Sequence, residues 1–135
     1  MAADTAKKLI LVVDDDPDVV TYITALLIDN GYETASAEDG VEAMAKIRAN
    51  KPALITLDIS MPEKSGVKVY REVKENSDLA DIPVLVVTGV TGFGGKSEEF
   101  EKFLGTRRQV PPPDGFIPKP IKQEELLEKV KALIG

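Results

Sequence analysis

Residues 9–13 have the sequence LILVV and run directly into three consecutive acids, Asp14, Asp15 and Asp16. A short run that is apolar at every position is typical of a strand buried on both faces of a parallel sheet. Three later runs also end on a polar residue: ALITL (53–57) before Asp58, VLVV (84–87) before Thr88, and GFIP (115–118) before Lys119. The carboxyl ends of parallel strands share one edge of a sheet, and ligands bind there. We therefore expect these acids, the hydroxyl and the amine to converge on one site.

Helical patterns lie between these runs, and local signals mark some of their ends. Asp16-Pro17 has the pattern of an N-cap followed by proline in the first turn, and Asn30-Gly31 that of a helix C-terminus. The main helices are predicted to begin near residues 17, 40, 66 and 122, with a further short one after Ser97. The residues predicted to face the core are Val19, Val20, Ile23, Leu26 and Leu27, then Val41, Met44, Ala45 and Ile47, then Val67, Tyr70 and Val73, and finally Leu126, Leu127, Val130, Leu133 and Ile134.

This alternation predicts an α/β fold with a parallel sheet. ETASA (33–37) is weakly apolar and fits an edge strand, and Pro118 favours an edge position for the last strand because proline cannot donate to a central ladder. Right-handed crossovers would place helices on both faces of the sheet. We expect one domain over residues 1–135, with its core at about 8–134 and no output domain.

Composition narrows the classes of function. The chain of 135 residues has a net charge of −6, which disfavours direct binding of nucleic acid. It contains no cysteine and no histidine, so disulfides, thiolate metal sites and a phosphohistidine role are excluded. A hard cation with oxygen ligands is the metal class that remains. The N-terminal segment has no apolar stretch long enough for membrane insertion, and we expect a cytoplasmic protein.

These residues together resemble the receiver domain of two-component response regulators, over nearly the whole chain. The matching motifs are the acid pair in VVDDDPD (12–18), the acceptor in LDISMPEKSG (57–66), the Thr88-Gly89 pair, and the Lys-Pro of FIPKP (116–120). The resemblance implies a doubly wound, flavodoxin-like sheet of five parallel strands in the order 2-1-3-4-5, with five helices. It also implies two-component or phosphorelay signal transduction by a phosphoprotein that carries an aspartyl phosphate.

The resemblance assigns roles to the acids. Asp58 would be the phosphoacceptor and would attack the phosphorus of a phosphohistidine on a partner protein. Asp14, Asp15 and Asp58 would bind Mg²⁺ together with the backbone carbonyl of Ser60, with Mn²⁺ as an alternative. Phosphoryl transfer depends mainly on positioning and charge neutralisation, which a bound cation would supply.

Further roles follow from the same resemblance. Thr88, Gly89 and Lys119 would bind the phosphoryl group, and Phe116 occupies the position of the family's switching aromatic residue. The two positions expected to tune the lifetime of the phosphoryl group are Ser60 and Val90. Lys119 lies 31 residues after Thr88, which is longer than the family usually has and indicates an insertion within 89–115.

The predicted function is a phosphoacceptor module that switches its binding to a downstream protein and catalyses only its own phosphorylation and dephosphorylation. The expected donor is a sensor histidine kinase or a histidine phosphotransfer protein. One alternative is a Mg²⁺-dependent phosphatase with an aspartyl nucleophile, although such enzymes typically have a second Asp where this chain has Ser60. The other is a pseudo-receiver that binds partners without phosphorylation, which the complete set of site residues disfavours. The sequence leaves the oligomeric state open.

Overall fold

The computed structural model describes residues 8–58, 65–88, 114–118 and 120–135, without the side chains of 65–67 and 88. The strands are β1 (Leu9–Val13), β2 (Glu33–Ala37), β3 (Leu54–Asp58), β4 (Val84–Thr88) and β5 (Gly115–Pro118). The helices are α1 (Pro17–Asp29), α2 (Gly40–Ala49), α3 (Ser65–Glu75) and the C-terminal helix (Gln123–Ile134). None of the helices in these ranges combines the length and apolar character that a membrane crossing requires.

The five strands form one sheet in the order β2-β1-β3-β4-β5, and every neighbouring pair is parallel. The predicted strand order is confirmed, as are the edge positions of β2 and of the strand that contains Pro118. Two strands are one residue longer at their carboxyl ends than predicted, because Asp58 and Thr88 still pair with the neighbouring strands. Asp58 and Thr88 therefore lie on the carboxyl rim of the sheet.

Successive side chains of a strand point to opposite faces, and the core consequently has two layers. One layer packs Leu11, Ile55 and Val86 of the sheet against α2 and α3, and we call it the α2–α3 layer. The other packs Ile10, Leu54 and Leu85 against α1 and the C-terminal helix, and we call it the α1 layer. Helices cover both faces of the sheet, as the crossover rule predicts.

Local sequence signals explain the ends of α1. The Asp16 carboxylate accepts a hydrogen bond of 2.9 Å from the Asp18 N–H, and Pro17 occupies the first helical turn. Gly31 has φ of +94° just beyond the helix, a conformation that costs glycine little. Both predictions for this helix are confirmed, and its buried residues Ile23 and Leu27 are among those predicted.

The predicted inner face of α2 is partly wrong. Met44 and Ile47 are buried as expected, but Ala45 is exposed and Val41 is 84% exposed, and Ala43 is buried instead. Each residue turns the helix by about 100°, so the buried face is centred between Ala43, Met44 and Ile47, and the other two lie more than a quarter turn away from it. Apolar composition did not reveal this rotation. In α3 the predicted Tyr70 and Val73 are buried, and in the C-terminal helix Leu126 and Val130.

Among the strands that the structure describes, β2 forms one edge of the sheet. The Glu33 N–H donates to the Lys8 carbonyl, and the Ala37 carbonyl accepts from Asp14, so alternate residues of β2 bond to β1. The Ser36 carbonyl therefore points to the open side, where the Lys46 ammonium of α2 donates a hydrogen bond to it. Lys46 also forms an ion pair of 3.3 Å with Glu42.

A polar cluster around the largely buried Lys74 side chain fixes the amino ends of β4 and β5. The Lys74 side chain, 6% exposed, donates to the carbonyls of Ala80 (3.2 Å) and Ile82 (3.0 Å) and lies 3.7 Å from an Asp114 carboxylate oxygen. Its ammonium is 6.0 Å from the centre of the Tyr70 ring. Burial, and then the Asp114 carboxylate, raise the pKa of Tyr70 far above its usual value. The sequence did not predict this cluster, because a lysine in the last turn of a helix is usually solvated.

Candidate functional site

Two acids are placed side by side by the pairing of β1 with β3. Val13 pairs with Leu57, so the residues that follow them, Asp14 and Asp58, meet at the carboxyl edge of the sheet. Asp14 is fixed by its N–H, which donates a hydrogen bond of 3.0 Å to the Ala37 carbonyl at the end of β2. The convergence predicted from the sequence is confirmed for these acids.

The carboxylates of Asp14, Asp15 and Asp58 form a cluster in which one oxygen from each lies within 4.8 Å of the others. Asp14 and Asp58 are each only 2% exposed, whereas Asp15 is exposed. Carboxylates at this spacing repel one another, and burial strengthens the repulsion. A hard cation with oxygen ligands would relieve it, and an opening on the solvent side would let such an ion retain water. The donor set therefore fits Mg²⁺.

The start of α1 orients one of these carboxylates. A carboxylate oxygen of Asp14 accepts a hydrogen bond of 2.9 Å from the Asp16 N–H. Asp16 is held in turn because its side chain caps α1. The N-terminus of a helix carries partial positive charge, which favours acids placed beside it. Sequence reasoning identified Asp16 as a helix cap but missed its contact with Asp14. The signal that could have revealed it is the two-residue spacing, which is typical of an Asx turn.

The loop after β2 is fixed beside the site by reciprocal capping. The Asp39 carboxylate accepts from the Glu42 N–H at 2.8 Å, and the Glu42 carboxylate accepts from the Glu38 N–H at 2.9 Å. The bond from the Glu38 N–H, followed by that from Lys46, lowers the pKa of Glu42. This arrangement anchors the segment immediately after Ala37, whose carbonyl holds Asp14.

The other predicted site residues fall into two groups. Thr88 is the last residue of β4 and pairs with Pro118, one position beyond the pairing of Asp58 with Val87. Phe116 lies in β5 and packs, partly buried, against the α2–α3 layer. Four predicted site residues lie outside the described ranges: Ser60, Gly89, Val90 and Lys119. The helix expected after Ser97 also lies outside them, within the segment 89–113.

Comparison with known proteins agrees with this geometry. The family model of the response regulator receiver domain matches residues 10–131. Among solved structures, the chemotaxis protein CheY4 of Vibrio cholerae superposes with a TM-score of 0.78 at 28% identity, covering 95% of this chain and 99% of that one. The receiver domain of a signal transduction histidine kinase from Syntrophus aciditrophicus gives a TM-score of 0.78 at 31% identity, covering 94% and 89%.

Curated relatives are similar over one part of their length. The alkaline phosphatase synthesis transcriptional regulatory protein PhoP of Bacillus subtilis is 35% identical over 127 residues, which are 94% of this chain and 48% of PhoP. Response regulator MprA of Mycobacterium sp. strain KMS is 37% identical over 125 residues, which are 93% of this chain and 50% of MprA. The chain thus spans about half the length of these relatives. On the family match, the strand order and the acidic cluster, it belongs to the response regulator receiver domain family of two-component signalling.

Proposed function

We propose that Asp58 is the phosphoacceptor of this receiver domain. The observation that supports it best is the cluster of three carboxylates within 4.8 Å at the carboxyl edge of the sheet. Asp58 is the member of that cluster that ends a central strand, and it is held with the carboxylates of Asp14 and Asp15 beside it. A nucleophile on a rigid strand end, next to acids suited to a metal, is what phosphoryl transfer requires.

Asp14, Asp15 and Asp58 would hold Mg²⁺ with the backbone carbonyl of Ser60, and Mn²⁺ offers the same oxygen chemistry. The ion would supply positive charge to the phosphoryl oxygens and lower the repulsion between those oxygens and the acids. The chain's own contribution is to hold Asp14 through the N–H groups of residues 14 and 16, so that little reorganisation is needed when the metal binds.

In the proposed transfer, a carboxylate oxygen of Asp58 attacks the phosphorus of a phosphohistidine on a sensor histidine kinase or a histidine phosphotransfer protein. The new O–P bond forms as the P–N bond breaks, and the electron pair of that bond stays on the imidazole nitrogen. The product is an acyl phosphate on Asp58 and an unphosphorylated histidine on the donor. A carboxylate nucleophile has no proton for a base to remove, so the step requires no general base.

Thr88, Gly89 and Lys119 are proposed to bind the phosphoryl group, with Ser60 and Val90 controlling how water reaches it. For Thr88 the support is its position at the end of β4, beside the strand that carries Asp58. For Lys119 it is the residue's place directly after β5 in the FIPKP motif. Phe116 lies on β5, and its packing against the α2–α3 layer is proposed to change when Lys119 engages a phosphoryl group.

The output is proposed to be a change in binding to a downstream protein. PhoP is described as a transcriptional regulatory protein, but the matched region is about half of it. Direct binding of nucleic acid by this chain is not expected, because its net charge of −6 would repel a phosphate backbone.

The test is incubation with acetyl phosphate and Mg²⁺ followed by intact mass measurement. We expect one added phosphoryl group, no addition for Asp58→Asn, and a normal addition for the exposed control Asp18→Asn. Full labelling of Asp58→Asn would disprove the assignment of the acceptor. Sustained turnover of a small phosphate ester would favour the phosphatase instead, and partner binding unchanged by Asp58→Asn would favour the pseudo-receiver.

A further inference from the structure

A groove of about 550 Å³ lies between α2 and α3, on the opposite side of the sheet from α1. Met44 and Val69, both almost fully buried, form its floor. Val41 lies at the end of the groove where α2 begins, and its side chain is 84% exposed. The other exposed large apolar residues in the described ranges are Ile28, at 53%, and Tyr22, at 44%. The most exposed large apolar side chain described thus lies beside a groove with an apolar floor, which is typical of an interaction surface.

The charged residues of the groove alternate in sign along each helix. On α2, Asp39 lies at the N-terminus and Arg48 in the last turn. On α3, Lys68 lies in the first turn and Glu72 one turn later. Both helices return from one parallel strand to the next, so they run in the same direction. At the end of the groove where both helices begin, the acid Asp39 on α2 therefore lies across from a base on α3. At the other end, the base Arg48 on α2 lies across from an acid on α3.

These charges do not neutralise one another within the chain. Among the described residues, none of Arg48, Lys68 and Glu72 takes part in an ion pair, whereas nearby Lys46 and Lys51 do. A surface whose charges reverse from one end to the other is complementary to itself after a twofold rotation. The same residues can then supply both sides of the contact.

We propose that a second copy of this chain docks in the α2–α3 groove by a twofold, antiparallel contact. In this arrangement Asp39 faces the second copy's Arg48, and Lys68 faces the second copy's Glu72. α2 packs along α2 of the second copy, so that the helix dipoles are opposed and each Val41 leaves water. The contact involves only the helices on one face, and it leaves the carboxylates at the rim of the sheet accessible.

Sedimentation velocity on the 135-residue chain over a range of concentrations tests the proposal. We expect reversible dimers, with the dissociation constant raised about tenfold or more by Lys68→Glu alone or Glu72→Lys alone, because each places like charges together twice. The double variant Lys68→Glu/Glu72→Lys keeps the net charge and restores opposite charges across the twofold axis. It should return the dissociation constant to near the wild-type value.

Apolar variants provide the matched control. Val41→Ser should weaken the dimer, whereas Ile28→Ser, an exposed position on α1, should leave it unchanged. A wild-type chain that remains monomeric at millimolar concentration would overturn the proposal. A double variant as weak as the single ones would also overturn it, because the antiparallel pairing requires mutual rescue.

Discussion

Asp114 and Val84 exchange two hydrogen bonds at the amino end of the sheet. The Asp114 N–H donates to the Val84 carbonyl at 3.0 Å, and the Val84 N–H donates to an Asp114 carboxylate oxygen at 2.9 Å. Lys74 lies 3.7 Å from the same oxygen. Asp114, the first described residue after the segment 89–113, is thus bonded to the first residue of β4, and this fixes the register in which β5 begins.

Replacing Asp114 should separate the hydrogen bond from the charge. Asp114→Asn keeps an acceptor for the Val84 N–H and should cost about 1 kcal/mol of unfolding free energy, whereas Asp114→Ala loses the acceptor as well and should cost about 2–3 kcal/mol. Urea unfolding measures both. Asp81→Ala is the control, because its ion pair with Lys51 is exposed and should contribute less than about 0.5 kcal/mol. Equal losses for Asp114→Ala and Asp81→Ala would contradict this account.

Gly115 should not tolerate a side chain. A Cβ at this position would lie 2.8 Å from the Leu85 Cδ2, and Leu85 is fully buried and cannot move aside without disturbing the α1 layer. Gly115→Ala is therefore expected to destabilise the fold by about 1–3 kcal/mol through overpacking. The additional variant Leu85→Ala should make the alanine at 115 less harmful than it is alone. Additive losses in the double variant would argue against a direct clash.

Tyr70 should make the fold sensitive to alkaline pH. Its pKa is raised in the folded state, so above pH 10 or so the unfolded chain loses the phenolic proton first and stability falls as pH rises. Tyr70→Phe removes this contribution and should flatten the loss of unfolding free energy as the pH rises above about 10. Guanidinium unfolding at several pH values measures the unfolding free energy of both proteins. If both proteins lose stability equally over that range, the phenol does not titrate differently on folding.

Mg²⁺ should stabilise the protein through the acidic cluster. At a concentration about 100-fold above its dissociation constant, the ion should add roughly 2.7 kcal/mol to the unfolding free energy. Asp15→Asn should remove most of this gain and raise stability without metal, because one of three clustered charges is lost. Melting curves with and without Mg²⁺ test both effects, with Asp29→Asn as the control. If Mg²⁺ raised the melting temperature of Asp15→Asn as much as that of the wild type, the ion would bind elsewhere.

Much of the fold was predictable because its signals are local. The apolar runs identified the central strands, and Asp16-Pro17 and Asn30-Gly31 marked the ends of α1. The rotation of α2 was not predictable from composition, because Val41 and Ala45 are apolar yet turn away from the core. Which apolar residues of a short helix are buried depends on how the helix docks on the sheet, and that is a tertiary property.

The site was predictable where a strand end fixes it. Asp14 and Asp58 follow from the rule that parallel strands end at one edge, and the structure brings them together with Asp15. The contact that orients Asp14 was less evident, because the Asp14 carboxylate accepts its hydrogen bond from the backbone N–H of Asp16. At the opposite, amino end of the sheet, the Lys74–Asp114 contact was also missed, because it joins residues 40 apart in sequence. Such contacts depend on register and loop geometry, which residue types alone do not determine.

The hydrogen bond from Lys46 to the Ser36 carbonyl has a consequence for how the protein behaves when crowded. An exposed sheet edge is a template on which another extended chain can grow, and repeated growth leads to fibrils. Here an incoming strand would have to displace an ammonium from the outward carbonyl of β2 and leave that charge beside a growing sheet. Growth of a β-sheet from the outer edge of β2 is thereby disfavoured.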